Sequence, residues 1–176
     1  GDLRLYIRTG DLDLSDVKLG DSIAVNGVCL TAVALPGDGF WADVSRETLV
    51  HSRFPDLAPG ERVNLEKAMQ PTTRFGGHIV TGHVDGLGEI ISIEADARSI
   101  RYKISAPKTI ARYIAGKGSI TVDGVSLTAN AVEGHTFDLN IVPHTAQETI
   151  IASYQAGRKI HLEVDIIARY MERLIN

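Results

Sequence analysis

Four side chains in this sequence are suited to proton transfer or nucleophilic chemistry: His83, Ser126, Thr128 and Cys29. His83 follows Gly82 in an apolar, glycine-punctuated stretch. Its imidazole, with an ordinary pKa of about 6.5, exchanges protons near neutrality. Ser126 and Thr128 flank Leu127, and Cys29 and Thr31 flank Leu30 in the same way. Residues i and i+2 of a strand share a face, so each pair presents two small polar groups together while a leucine points away. A solvated strand face has the same pattern, but here it recurs at one register in two places. The plainer readings are a structural histidine and a cysteine acting as a small buried hydrophobe. Lys117, just before Gly118, could position an anion or a carbonyl, or simply face water.

The recurrence extends well beyond those pairs. Ser119–Ala129 reads as strand, Asp-Gly turn and strand, and Ser22–Ala32 is the same phrase with Asn-Gly at its turn. The offset from Thr31 to Thr128 is 97 residues, and it also relates Arg4 to Arg101, Phe40 to Phe137, Thr48 to Thr145 and Glu66 to Glu163. A self-match of this length means two copies of one module of roughly 90 residues each. Short alternating runs at 3–8, 40–44, 62–66, 137–142 and 160–164 predict strands, with turn residues between them. Residues 107–115 predict a short helix and 71–77 a linker.

The second copy opens with a strand from His78 to Gly86 that carries Gly82-His83. The matching stretch of the first copy would precede Gly1, so that copy is expected to lack its opening strand, roughly 17 to 20 residues. After Asp165, an expected N-cap, apolar residues at 166, 167, 170, 171, 174 and 175 form one helical stripe. Such a helix either packs on its own barrel or joins subunits.

A net charge of −4, no cluster of basic residues and one tryptophan argue against a nucleic-acid groove. No apolar run reaches the ~20 residues of a membrane span, and no signal peptide is visible. The single cysteine cannot form an internal disulfide, which points to the cytoplasm. The six histidines are dispersed, and the odd spacing of His78 and His83 would send them to opposite faces of one strand, so no metal site is expected.

The duplicated Asn/Asp-Gly-x-x-Leu-Thr hairpins, the Gly76-Gly77-His78 to Gly82-His83 stretch and the duplicated Leu-Glu strand resemble riboflavin synthase of the α-chain type, a family of two lumazine-binding repeats. The resemblance covers nearly the whole chain. It implies an all-β fold of two tandem six-stranded Greek-key barrels, the first lacking its opening strand, plus a C-terminal helix. The expected division is residues 1–77, 78–164 and 165–176. The activity implied is a cofactor-free transferase reaction. Two molecules of 6,7-dimethyl-8-ribityllumazine exchange a four-carbon unit, giving riboflavin and 5-amino-6-ribitylamino-pyrimidinedione. A homotrimer joined through the C-terminal helices is implied too, with no nucleic acid or membrane as partner. A non-catalytic lumazine- or flavin-binding antenna protein of the same superfamily is the alternative.

By the same resemblance, His83 transfers the proton, with Thr128 and Ser126 beside it, and Cys29 is the further catalytic position. The first pocket is lined by Cys29, Leu30 and Thr31 and by Asp43, Val44, Ser45, Arg46, Glu47 and Thr48. The second is lined by Gly82, His83 and Val84, by Lys117, by Ser126, Leu127 and Thr128, and by Asn140, Ile141, Val142, Pro143, His144 and Thr145. Ser22 and Asp123 also match functional positions of the family, although either could be only a turn residue.

Overall fold

Both hairpins turn on a residue pair that can adopt positive φ. Asn26 and Gly27 have φ of 46° and 77°, and Asp123 and Gly124 have 43° and 85°. Such angles match the right-handed twist of the flanking strands and suit Asn-Gly and Asp-Gly. The computed structural model describes residues 3–175. In the first half β1 is Leu3–Arg8, β2 Ser22–Val25, β3 Val28–Thr31 and β4 Gly39–Val44. A short helix α1 (Arg46–His51) and a three-residue strand β5 (Leu65–Lys67) follow. β1 pairs with β4, while β2 lies between β3 and β5, and a single bridge between Ala34 and Trp41 connects the two sheets.

The second half contains β6 (Gly86–Asp96), β7 (Ser99–Ser105), the one-turn helix α2 (Lys108–Ala111), β8 (Ser119–Val122) and β9 (Val125–Glu133). Next come β10 (Thr136–Ile141), α3 (Pro143–Glu148), β11 (Lys159–Val164) and α4 (Ile166–Ile175). Its six strands close into a barrel in the order β10-β7-β6-β11-β8-β9. β6 closes the ring by pairing with both β7 and β11. The counterparts of those two neighbours are β1 and β5, and no strand lies between them among the described residues. The architecture is therefore mostly β, with one closed six-stranded barrel, an N-terminal set of smaller sheets and a C-terminal helix.

Three local expectations need correction. The stretch 78–85 is not a strand, and β6 begins only at Gly86. Gly82 takes a positive φ of 76°, and the N–H groups of Thr81 and Gly82 go to the Glu163 carboxylate rather than to a ladder. The helix at 107–115 shrinks to a single turn because the chain turns after Ala111 into a run ending at Gly116 and Lys117. The strand at 62–66 is reduced to 65–67, since its counterpart Lys159–Leu162 is paired with β6 and residues 62–65 have no such neighbour among the described residues.

Each half has its own core. Ile23, Phe40 and Phe54 lie in one, and Ile104, Phe137, Leu139 and Leu162 in the other, all essentially inaccessible to water. Burying each such side chain contributes roughly 1.5–3 kcal/mol. Between the cores runs a polar seam with pseudo-twofold symmetry. The Arg53 N–H donates to His161 Nε2 at 2.8 Å, and the Ile150 N–H donates to Asn64 Oδ1 at 2.9 Å. In return, His161 Nδ1 donates to the Asn26 carbonyl at 2.8 Å, and Asn64 Nδ2 donates to the Asp123 carbonyl at 2.9 Å. Every pair is related by the 97-residue offset. Asparagine and neutral histidine can exchange here because each offers one acceptor and one donor. The two turns meet at this seam: a Cβ on Gly27 would lie 2.5 Å from the Gly124 nitrogen, so only glycine fits.

Burial lowers the pKa of His161 and raises that of Asp123. Tyr154 donates to Asp123, and its own pKa rises through burial and the adjacent carboxylate. At the seam's edge, Arg53 and Arg158 both contact the Glu61 carboxylate, at 3.5 and 3.3 Å.

Candidate functional site

The segment Thr81–Asp85 is held through its main chain while the His83 side chain is left free. Glu163, buried on β11, accepts from the Thr81 N–H at 2.8 Å, the Thr81 hydroxyl at 2.6 Å and the Gly82 N–H at 2.9 Å. The Gly82 carbonyl accepts from the Cys29 N–H at 2.9 Å. Asp85 is tied to β11 twice, through its N–H to the Leu162 carbonyl and through its carboxylate to the Val164 N–H, both at 2.8 Å. The His83 side chain is exposed and has no hydrogen-bond partner among the described residues. An imidazole free on a fixed backbone is accessible from outside the molecule.

That segment rests on the first half. Gly82 packs so closely that a Cβ there would lie 2.6 Å from Cys29 Cβ, and Val84 packs against the first-half core. Gly82 and Val84 thus lie against the first half, while Ser126, Leu127 and Thr128 lie on β9. The cause is local: Glu163 draws Thr81 and Gly82 to the seam, and the missing side chain at Gly82 lets the Cys29 strand approach.

Ser126 has a different histidine beside it. His78 Nδ1 lies 2.7 Å from Ser126 Oγ, and His78 Nε2 lies 3.1 Å from Thr121 Oγ1. Thr121 and Ser126 face each other across the β8–β9 ladder, so one imidazole spans a cross-strand pair. The equivalent pair in the first half is Ala24 and Cys29, which offers no such clamp. Burial lowers the His78 pKa, against the opposing pull of Asp165 and Glu163, and so favours the neutral ring. His78 was visible in the Gly76-Gly77-His78 motif, yet nothing in a local pattern pairs it with residues more than 40 positions away.

The remaining expected residues fall into two equivalent places. Asp43 and Val44 end β4, Ser45 caps α1 by accepting from the Thr48 N–H at 3.2 Å, and Arg46 and Glu47 form its first turn. Asn140 and Ile141 end β10, Val142 sits at the cap of α3, and Pro143, His144 and Thr145 follow. Lys117 donates its N–H to the Ala129 carbonyl at 2.7 Å, and Leu139 pairs with Ala129, so Lys117, Thr128 and Asn140 gather around one stretch of the barrel. Lys117 has a positive φ of 66°, where its counterpart is Gly20 with φ of 91°. A lysine held in a region that favours glycine is strained locally, and such strain collects at functional positions. Leu30 is buried and Leu127 half-buried, and Thr31 and Thr128 are exposed. Among the described residues no cluster of His, Cys, Asp and Glu is arranged to hold a metal ion, and no helix is long and apolar enough to cross a membrane.

Comparison with known proteins gives a consistent result. The family model for the lumazine binding domain matches residues 2–68 and again 81–165. The chain is 53% identical over 174 residues to a riboflavin synthase of Photobacterium phosphoreum, covering 99% of this chain and 80% of that relative. Identity to the riboflavin synthase of Mycobacterium tuberculosis (strain ATCC 25618 / H37Rv) is 47% over 176 residues, covering 98% and 87%. For that of Bacillus subtilis (strain 168) it is 44% over 163 residues, covering 93% and 76%. Among solved structures, the complex of LumP with riboflavin superposes with a TM-score of 0.85 at 23% identity, covering 93% of this chain and 88% of that one. That likeness establishes the fold.

Proposed function

The chain belongs to the riboflavin synthase family and is an enzyme, and from that premise we propose how its two halves divide the reaction. Residues 1–77 and 78–164 each form a barrel-type lumazine-binding unit, the first without a counterpart to β6 among the described residues, and 165–176 form an association element. Two molecules of 6,7-dimethyl-8-ribityllumazine are held at the equivalent hairpin faces. One gives up a four-carbon unit to the other, leaving riboflavin and 5-amino-6-ribitylamino-pyrimidinedione, with all atoms of the two substrates accounted for.

The lumazine 7-methyl group is acidic because its carbanion delocalises into the ring, so a positioned base can begin carbon–carbon bond formation. His83 fills that role, contributing ~10² to 10⁴-fold. Fixing two substrates in one orientation is worth more, ~7–11 kcal/mol. Hence a duplicated binding module suits this chemistry. The observation that carries this reading is the free imidazole of His83 on a segment pinned at both ends. Cys29 and Thr31, with Asp43–Thr48, recognise one substrate; Lys117, Ser126, Thr128 and Asn140–Thr145 recognise the other.

The protein is expected to turn lumazine into riboflavin with no added cofactor, releasing one pyrimidinedione per riboflavin, as read by riboflavin fluorescence and chromatography. Tight lumazine binding without product would instead identify the antenna protein.

A homotrimer in the cytoplasm completes the proposal. No residue of α4 is buried, and Ile167, Tyr170, Met171 and Leu174 are exposed on its outer side. Glu172 meets Tyr113 and Arg112 on the inner side. Ile167→Glu and Leu174→Glu are expected to dissociate the oligomer in sedimentation; an unaltered oligomer in both would place the association surface elsewhere.

A further inference from the structure

The main-chain bonds of Thr81 and Gly82 are supplied by Glu163 and Cys29, from elements within the two halves. The next carbonyl is held from outside both. Arg169, on α4, donates through Nη2 to the His83 carbonyl at 2.7 Å and to Asp85 Oδ2 at 2.8 Å. Its Nε is buried without a hydrogen-bond partner among the described residues. The same Asp85 oxygen accepts the Val164 N–H, so the guanidinium ties the His83 carbonyl to β11 through a shared carboxylate.

This contact has an unusual share in setting the imidazole. Residues 83–85 precede β6 and have no ladder of their own. The ring makes no hydrogen bond among the described residues, so the backbone that carries it, by placing Cβ, sets the region the ring can reach. Upstream that backbone is pinned at Gly82; downstream it is pinned by Arg169 and Asp85. Both bonds of Arg169 leave one nitrogen, Nη2, so a single charged amino group bridges the carbonyl and the carboxylate.

We propose that Arg169 is a positioning residue for His83, through which the seating of α4 sets the rate of the chemical step. The proposal rests on the reading of His83 as the proton-transfer group. It adds that the helix exposing Ile167, Tyr170 and Leu174 for association also grips the segment carrying that group.

The test uses the full chain carrying Arg169→Ala, Arg169→Met, His83→Gln, and Arg169→Ala together with His83→Gln. Arg169→Ala is expected to slow single turnover ~10- to 100-fold, the scale of a small misplacement of a reacting group. Lumazine affinity and the sedimentation coefficient stay at parent values. Added guanidinium ion restores part of the rate of Arg169→Ala, and none of the rate of His83→Gln. In the double variant the alanine has no further effect, because it acts only through the imidazole.

Parent-like turnover of Arg169→Ala beside a slow His83→Gln overturns the inference and leaves the proposed function standing. An equal loss from Arg169→Ala in both backgrounds also overturns it, by placing the arginine's effect elsewhere. Parent-like turnover of His83→Gln overturns both. If Arg169→Ala does not fold, Arg169→Met decides, since it keeps most of the apolar stem and loses the donors: a slowed step at parent affinity supports the proposal and a parent rate refutes it.

Discussion

The two halves share one pattern and, among the described residues, differ in closure. In the second, the Glu163 carboxylate receives three hydrogen bonds from Thr81 and Gly82, and β6 completes a barrel. In the first, the equivalent Glu66 is exposed with no partner among the described residues, and the strands form two sheets. Yet the seam between them is symmetric nearly bond for bond. The comparison separates what the repeated pattern is for. Residues that join the halves are matched in hydrogen-bonding capacity, as with Asn64 and His161, while residues around the hairpins are allowed to diverge. Ala24 stands opposite Cys29 where Thr121 stands opposite Ser126, and Gly20 takes the place of Lys117. On the proposed reading, divergence there lets two identical molecules be treated differently, as donor and acceptor.

The largest expected break of the symmetry is catalytic. His83→Gln should cut single turnover by ~10²-fold or more with lumazine binding little changed, the pattern of a lost acid–base group. Thr31→Ala, in the first half, should weaken binding and alter the bound complex's rate far less. Stopped-flow measurement of riboflavin formation at saturating lumazine separates the two, and equal behaviour of both variants would remove the distinction between the halves.

Next in size is the contrast between the two glutamates. Glu163→Ala leaves the Thr81 and Gly82 N–H groups without their acceptor and should cost about 2–4 kcal/mol in urea unfolding. Glu66→Ala removes no hydrogen bond and should stay within about 0.5 kcal/mol. Equal costs would mean that Glu66 has a partner of similar strength in solution.

The smallest effect sharpens the seam. With its pKa lowered by burial, His161 binds fewer protons folded than unfolded, so stability is lost as pH falls below about 6.5, by at most ~1.4 kcal/mol per pH unit. Asp123, whose pKa is raised, works in the opposite sense as pH falls toward its unfolded value of about 3.9. His161→Asn copies the Asn64 arrangement, keeping donor and acceptor while removing only the histidine's titration. Unfolding curves at pH 7 and pH 5.5 should therefore converge for the variant and diverge for the parent. A parent-like loss of stability in His161→Asn would assign the sensitivity to groups outside the seam, such as His78, whose pKa burial also lowers.

What the sequence determined by itself was whatever depends on neighbours along the chain and on comparison at a fixed offset. Asn26-Gly27 and Asp123-Gly124 must turn, because few other residues accept two positive φ angles in succession. The stripe after Asp165 must be a helix, and its cap is in place, with Ile167 donating to Asp165 Oδ1 at 3.0 Å. The 97-residue repeat announced two like modules, and the family followed from its motifs. Tertiary structure decided the rest, since it depends on groups far apart in sequence. The stretch around His83 has strand-like composition, but a carboxylate 80 residues away takes its N–H groups and bends it onto Cys29. His78 reaches Ser126 because Ser126 faces Thr121 across a ladder. Arg169 reads as a solvated position on a helix, and only the packing of α4 against the barrel brings its guanidinium to the His83 carbonyl.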